Sequence, residues 1–353
     1  MGEARTVSTL LLDRQAGLGG SLDQPGMRYA RGEDVVVVIP TLNEEQHIEA
    51  CLRSLMTGDI RLRQVEIFIV DGGSRDLTCD VVELMRREHP NLRLLHNSKR
   101  LQSAAVNLAA RNAGIGRRIL VRCDAHAIYP PNYVMNAADS LVRRNVASVV
   151  VPMDAHGETC FQKANAWIVD TPLGSGGSAH RGGRRSGFVD HGHHAAFDLK
   201  TFLHVGGYDE SFSHNEDAEF DARLRQAGGR IFLDAEIRLA YRPRATVRAL
   251  ARQYYNYGRG RARTLRKHGE RPKLRQLIPP VVLLACVAGV ALLPVTPWGL
   301  LAPMTYLAAL AGASLLVAVK HRSACGLLAG VASGVMHMSW SAGLLRQLLL
   351  PRR

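Results

Sequence analysis

Residues 35–45 read VVVVIPTLNEE: an unbroken apolar run from Val35 to Ile39, then Pro40-Thr41-Leu42-Asn43 and a pair of glutamates. A strand with one face in water alternates apolar and polar side chains. An unbroken β-branched run is what a strand buried on both faces requires, and such strands belong to parallel sheets covered on both sides. The following segment, Glu44–Met56, places Ile48, Leu52 and Leu55 on one helical face. The unit then repeats. Glu66–Val70 predicts a strand stopped by Asp71-Gly72-Gly73-Ser74, Leu77–Arg87 a helix, Leu92–His96 a strand, Ser103–Ala113 a helix and Ile119–Arg122 a strand. Strand alternating with helix at this spacing specifies an α/β fold with a doubly wound, mostly parallel sheet.

Ligands of such sheets sit beyond the carboxyl ends of the strands, so the residues after each strand are the ones that matter. They are Pro40, Thr41, Asn43 and Glu44 after the first, Asp71 after the second and Asp124-Ala125-His126 after the fourth. One Asp after a strand is commonly a helix N-cap; three polar strand ends on one rim are harder to explain that way. The Asp71 carboxylate is an acceptor suited to a base or ribose. Asp124 and His126 lie on the same side of an extended segment and pair a hard carboxylate with an imidazole, which suits Mn2+ or Mg2+ bridging two phosphates. The plain alternative is that His126 packs against Tyr129 and Pro130.

A second constellation is Asn215-Glu216-Asp217-Ala218-Glu219. Three acids in four residues repel one another and favour raised pKa values where partly buried, and a carboxylate there suits a general base towards an acceptor hydroxyl. An acidic first helical turn, favoured by the helix dipole, is the competing reading. Between the two constellations, Pro172–Gly192 carries Gly174, Gly176 and Gly177, then Arg181, Arg184 and Arg185. It reads as a lid over a diphosphate or as a surface loop. His191, His193 and His194 lack ligand spacing and read as acceptor-site or packing residues.

The chain of 353 residues carries a net charge of +14, unevenly spread. Thirteen Lys and Arg fall between Arg238 and Arg275 against one acid, Glu270, and run directly into an apolar stretch. That placement suits anionic lipid head groups rather than nucleic acid. Leu277–Leu293, Trp298–Val319 and a weaker Cys325–Leu345 read as two or three membrane helices, the last with Gly326, Gly330 and Gly334 as a small-residue packing face. Basic residues before Leu277 place the preceding domain in the cytoplasm. Three full spans would put Arg346, Arg352 and Arg353 outside, against the same rule. The expected organisation is a mobile leader (1–32), a catalytic domain (33–245), a basic juxtamembrane segment (246–276), membrane helices (277–345) and a basic tail (346–353). Met1-Gly2 fits a short myristoylation pattern. Six scattered cysteines without C-x-x-C argue against zinc or a disulfide framework and suit a reducing compartment.

Taken together, VVVVIPTLNEE, IVDGGSRDLT, RCDAHAIYPPNYV and GGYDESFSHNEDAEFDARLRQAGG resemble inverting glycosyltransferase family 2, which has the GT-A fold. The DAH triplet in place of the usual DXD, TPLGSGG, the NEDAE helix and the basic YYNYGRGR are similar to its succinoglycan-type (ExoA-like) glucosyltransferases. The resemblance runs over about residues 33–345. It implies that Pro40, Thr41, Glu44, Asp71 and Asp124 bind a nucleotide-sugar, a UDP-sugar and within the subgroup UDP-glucose. It further implies that Asp124 and His126 hold a divalent metal and that Asp217 is the catalytic base. Glu216, His193 and the arginines Arg181, Arg184 and Arg185 would serve the acceptor or lid. The acceptor would be a lipid-linked saccharide at the cell (inner) membrane, growing towards an exopolysaccharide.

Two departures bear on this. Where processive members carry Gln-x-x-Arg-Trp, this chain has Gln253-Tyr254-Tyr255-Asn256-Tyr257, which favours a single transfer. His191-Gly192-His193-His194 stands where relatives have bulky residues. A polyprenyl-phosphate glycosyltransferase is the nearest rival reading. A sugar nucleotidyltransferase would open with a glycine-rich loop after the first strand, which is absent, and a catalytically inactive membrane binding protein is the last alternative.

Overall fold

The computed structural model describes residues 29–178 and 181–350; the leader as far as residue 28, its Met1-Gly2 pattern and the arginines Arg352 and Arg353 lie outside the described residues. In chain order the elements are β1 (Val35–Thr41), α1 (Ile48–Leu55), β2 (Glu66–Asp71), α2 (Thr78–Glu88), β3 (Leu92–His96), α3 (Gln102–Asn112) and β4 (Ile119–Arg122). There follow α4 (Tyr133–Arg144), β5 (Ser148–Val151), β6 (Met153–Ala155), α5 (Cys160–Val169), α6 (Pro172–Ser175), β7 (Gly187–Phe188), β8 (His193–Asp198) and α7 (Leu199–His204). The last are α8 (Glu216–Gln226), β9 (Ile231–Leu233), β10 (Leu239–Tyr241), α9 (Val247–His268), α10 (Leu274–Ala291), α11 (Leu301–Lys320) and α12 (Ala329–Leu349). They group into two compact units, residues 29–153 with 184–240, and residues 154–183 with 241–350.

The first unit is built on an eight-stranded sheet in the order β3-β2-β1-β4-β8-β5-β9-β7. β1 runs parallel to β2 and β4, β2 to β3, and β5 to β9. β8 is antiparallel to both β4 and β5, and β7 is antiparallel to β9. The apolar run of β1 is explained by its two faces. Val35, Val37 and Ile39 enter one core with Ile48 and Leu52 of α1 and Leu141 of α4, whereas Val36 and Val38 enter the other with Val106 of α3 and Phe220 of α8. Every one of these side chains is fully buried, at roughly 1.5–3 kcal/mol each.

The helix expected from Glu44 starts at Ile48 instead: a turn precedes it in which the Glu44 carbonyl accepts from His47 N and Ile48 N, while the N–H groups of Glu44 and Glu45 bond Thr78 Oγ1 and the Asp76 carboxylate. The glycine-rich stretch is partly regular. Thr171 caps α6 by accepting from Gly174 N, and a Cβ on Gly174 would lie 2.1 Å from the Ile168 carbonyl, so close packing accounts for that glycine.

In the second unit, α10 and the segment Pro297–Lys320 containing α11 are each long and apolar enough to cross a membrane. Val281, Leu284, Val287, Leu307 and Leu316 on them are more than half exposed. The third apolar segment behaves differently. α12 packs along α9 so closely that a Cβ on Gly258 would meet the Trp340 carbonyl at 2.0 Å, and one on Gly343 the Tyr255 carbonyl at 2.0 Å. Cys160 and Cys325 form a disulfide with Cα atoms 4.9 Å apart, joining the start of α5 to the turn after α11. This corrects the expectation that the cysteines are unpaired: 165 residues separate the two, so no local spacing reveals the pair.

Candidate functional site

The loops after β1 and β2 are laced together. Thr41 closes the β1–β2 register opposite Asp71, and Thr41, buried, hydrogen-bonds the Ile39 carbonyl. Asp71 accepts from Gly73 N at 2.8 Å and from the Ser74 hydroxyl at 2.5 Å, holding the Gly72-Gly73 turn. Asn43, with a positive φ of 55°, donates its N–H to the same Ser74 hydroxyl. Pro40 is half-buried at the end of β1. Much of what Asp71 does is therefore local capping.

Glu44 projects from this lacework to His126. Its Oε1 lies 3.1 Å from His126 Nδ1, and the imidazole is 65% exposed. Two residues earlier Asp124 receives Gln102 Nε2 at 3.2 Å and stands 3.6 Å from an Arg122 amino group, both on Oδ1. Burial pushes the Asp124 carboxyl up, but the Arg122, His193 and His126 charges pull harder, and its pKa lies below the ordinary value. Glu44, Asp124 and His126 thus gather at the ends of β1 and β4.

No cluster of three or more metal-type side chains occurs among the described residues. The donor set nonetheless fits a divalent cation shared with a ligand. Asp124 keeps Oδ2 clear of the contacts on Oδ1, and His126 keeps Nε2 clear of Glu44. An imidazole oriented by a carboxylate on its other nitrogen is how metal-binding histidines are held.

On α8 the first turn carries Glu216, Asp217 and Glu219 after Asn215, itself in left-handed conformation. The three acids have different fates. Glu219 is fully buried in an ion pair with Arg223 at 2.7 Å. Burial and the Asp217 charge raise the Glu216 pKa. Burial also pushes Asp217 up, yet His191, His194 and Arg122 outweigh it, and Asp217 ends below the ordinary carboxylate value. The expectation of raised values holds for Glu216 and is overturned for Asp217, because the cationic neighbours lie on other elements and cannot be read from the helix alone.

The pleat of β8 separates His193 from His194, and His191 precedes the strand. His194 is buried with Nε2 2.8 Å from Asp221 Oδ1, and His191 reaches Asp221 Oδ2 at 2.7 Å. His193 is partly exposed and acts on Asp124 through its charge. Burial pushes the Asp221 carboxyl up, but the two histidines bring it down to about 2. The three arginines part company: Arg184 and Arg185 are exposed in the first unit, while Arg181 stacks 4.6 Å over the Tyr241 ring in the second. Asp221, Tyr208, Gln102 and Arg122 were not singled out from sequence. Arg122 had a signal, since a charge ending the apolar run Ile119-Leu120-Val121 is out of place in a buried strand.

Residues 36–205 match the glycosyl transferase family 2 domain. The chain is 44% identical over 319 residues to the succinoglycan biosynthesis protein ExoA of Rhizobium meliloti, covering 90% of this chain and 96% of that one. It is 27% identical over 241 residues to the dolichyl N-acetyl-alpha-D-glucosaminyl phosphate 3-beta-D-2,3-diacetamido-2,3-dideoxy-beta-D-glucuronosyltransferase of Methanococcus voltae, covering 66% and 74%. Among solved structures, the mannosyltransferase PcManGT from Pyrobaculum calidifontis, in complex with GDP-Man and Mn2+, aligns with a TM-score of 0.57 over 97% and 95% of the two chains. At 20% identity that likeness speaks for the fold. The rim of polar strand ends, the GT-A sheet and the extent of the sequence match agree: this chain is a glycosyltransferase and belongs to glycosyltransferase family 2.

Proposed function

We propose that the protein is a membrane-anchored inverting glycosyltransferase of exopolysaccharide synthesis, moving glucose from UDP-glucose to a lipid-linked saccharide. The observation that carries this reading is the gathering of Glu44, Asp124 and His126 on the strand-end rim of a sheet whose antiparallel strand β8 also bonds, through His194, to the helix of Asp217. Pro40, Thr41 and Asp71 line the nucleotide side, with Asp71 able to accept a further hydrogen bond from base or ribose. Asp124 and His126 would hold a divalent cation, Mn2+ or Mg2+. When bound, that cation neutralises charge developing on the leaving diphosphate.

Asp217 takes the proton of the acceptor hydroxyl. Its depressed pKa keeps it ionised and ready at neutral pH. Attack on the anomeric carbon from the face opposite the diphosphate gives inversion. His193 and Glu216 border the acceptor side. Arg184 and Arg185, exposed in the first unit, are placed to serve the acceptor or the diphosphate.

The relative from Rhizobium meliloti is named for succinoglycan synthesis, which supports a glycan pathway, and the one from Methanococcus voltae for a dolichyl-linked sugar phosphate, which supports a lipid-linked acceptor. A hairpin of two spans, α10 and α11, returns the chain to the side it left. Arg275, Lys320 and Arg346 then share the cytoplasmic face with α9, which satisfies the charge rule that three spans violate. The basic α9 meets anionic lipids there, at about 1 kcal/mol per basic residue near the surface.

The test is transfer by detergent-purified protein from a panel of UDP-sugars to polyprenyl-diphosphate-linked saccharides. Transfer confined to one UDP-sugar and to a glycosylated lipid supports the reading. Transfer to bare polyprenyl phosphate would replace it with the polyprenyl-phosphate glycosyltransferase.

A further inference from the structure

Arg122 is the last residue of β4, and it is only 9% exposed. A guanidinium is a donor with five N–H groups, and burying one is costly unless carboxylates or other acceptors engage it closely. Here the engagement is loose. One amino group reaches the Tyr208 hydroxyl at 3.4 Å, the other stands 3.6 Å from Asp124, and Nε has no partner among the described residues. For stability alone an apolar residue would serve better at the end of a buried strand.

What fixes the guanidinium is a chain of buried side chains behind it. The Tyr208 hydroxyl lies 2.6 Å from His194 Nδ1, and His194 Nε2 lies 2.8 Å from Asp221 Oδ1. The proton order follows from the ends. Arg122 can only donate, so the Tyr208 oxygen accepts from it and gives its own proton to His194 Nδ1. His194 then carries its proton on Nε2 and donates to Asp221. One neutral tautomer satisfies every link. The chain crosses from β4 through Tyr208 and β8 to α8, which bears Glu216 and Asp217.

We propose that Arg122 is a fixed internal cation serving both carboxylate poles of the site, Asp124 on one side and Glu216–Asp217 on the other. Tyr208 and His194 are the positioning residues that hold it. The inference rests on Asp217 being the base and goes beyond it. The groups facing Asp217 are Arg122 from β4, Tyr208, His191 and His194 from the β8 side, and Glu216 and Asp221 from its own helix. Of these, Arg122 is a guanidinium and keeps its charge at every working pH.

The experiment measures kcat, KM for the donor and the pH profile of donor consumption in the full-length protein in detergent. UDP affinity and Tm accompany each variant. Arg122→Gln moves the acidic limb of kcat/KM to higher pH by about one unit, since one of the positive charges favouring ionised Asp217 is gone. Arg122→Lys keeps the charge and leaves the limb near its wild-type position while lowering kcat. Tyr208→Phe retains the charge but releases the guanidinium, and lowers kcat about tenfold with KM and UDP affinity unchanged. A wild-type acidic limb in Arg122→Gln, or full kcat in Tyr208→Phe, overturns the proposal. Should Arg122→Gln fail to fold, full kcat in both Arg122→Lys and Tyr208→Phe overturns it. Failure of the underlying base assignment has a different signature, an active Asp217→Asn.

Discussion

His194 meets Asp221 one helical turn beyond Asp217, so a buried imidazole on β8 pins the face of α8 that carries the acid pair. An i, i+4 pair lies on one helical face, and the tie at residue 221 therefore fixes where residue 217 points. Asp217 is thus held by a strand as well as by its own turn, where its Oδ1 accepts from Ala218 N at 2.7 Å.

Asp221 carries a consequence for acid stability. Its native pKa of about 2 lies below the ordinary carboxylate value of 3.8. A depressed carboxylate contributes stability that is present above the unfolded value and lost as pH falls through the folded one. The contribution is about 2 kcal/mol at neutral pH. Between roughly pH 4 and pH 2 the wild-type Tm should fall, and part of that slope should be missing in Asp221→Asn. Equal slopes would show that Asp221 is not the group responsible.

The Glu44–His126 contact predicts a metal phenotype. A carboxylate on the outer nitrogen of a ligating histidine typically governs affinity 10–100-fold. Glu44→Gln should weaken Mn2+ binding in the presence of UDP by about that factor, read by the loss of free-ion EPR signal. Unchanged binding would remove His126 from the ligand set.

The packing of α12 on α9 leaves no space at two glycines. Gly258→Ala or Gly343→Ala drives a methyl into a helix backbone 2.0 Å away and should cost about 1–3 kcal/mol, seen as a lower Tm in detergent. Tolerance of both would mean that the two helices do not pack this way.

The disulfide yields a fourth expectation. Alkylation of denatured, unreduced protein should label Cys51, Cys79, Cys123 and Cys286 and spare Cys160 and Cys325. Cys160→Ser should cost about 2–5 kcal/mol against chemical denaturation. Full labelling of all six would show that the pair is reduced in the isolated protein.

How far these features could be read in the sequence depended on whether their cause was local. The β1 run announced a doubly covered strand because both its faces are buried, and β2 and β4 followed by the same rule, whereas the partly exposed edge strand β3 was placed by the alternation of strand and helix. β8 was not recognisable as an antiparallel strand, since His193-His194 gives it a polar start whose purpose is a partner on α8. Cys325–Leu345 reads as a weak span with a small-residue face; Gly326, Gly330 and Gly334 pack against α11, while Gly343 belongs to a seam with α9, a relation between segments some 85 residues apart. Glu216, Asp217 and Glu219 read alike as acids in a row, and only their neighbours on other elements distinguish them.

In the proposed mechanism Asp217 removes the acceptor proton in a metal-assisted transfer from a UDP-sugar. The most direct measurement is UDP release in the presence of Mn2+ and a lipid-linked saccharide by wild type and Asp217→Asn, with UDP binding measured alongside. Release should be about 10²–10⁴-fold slower in the variant, with UDP binding retained. A variant that transfers sugar at the wild-type rate would contradict it.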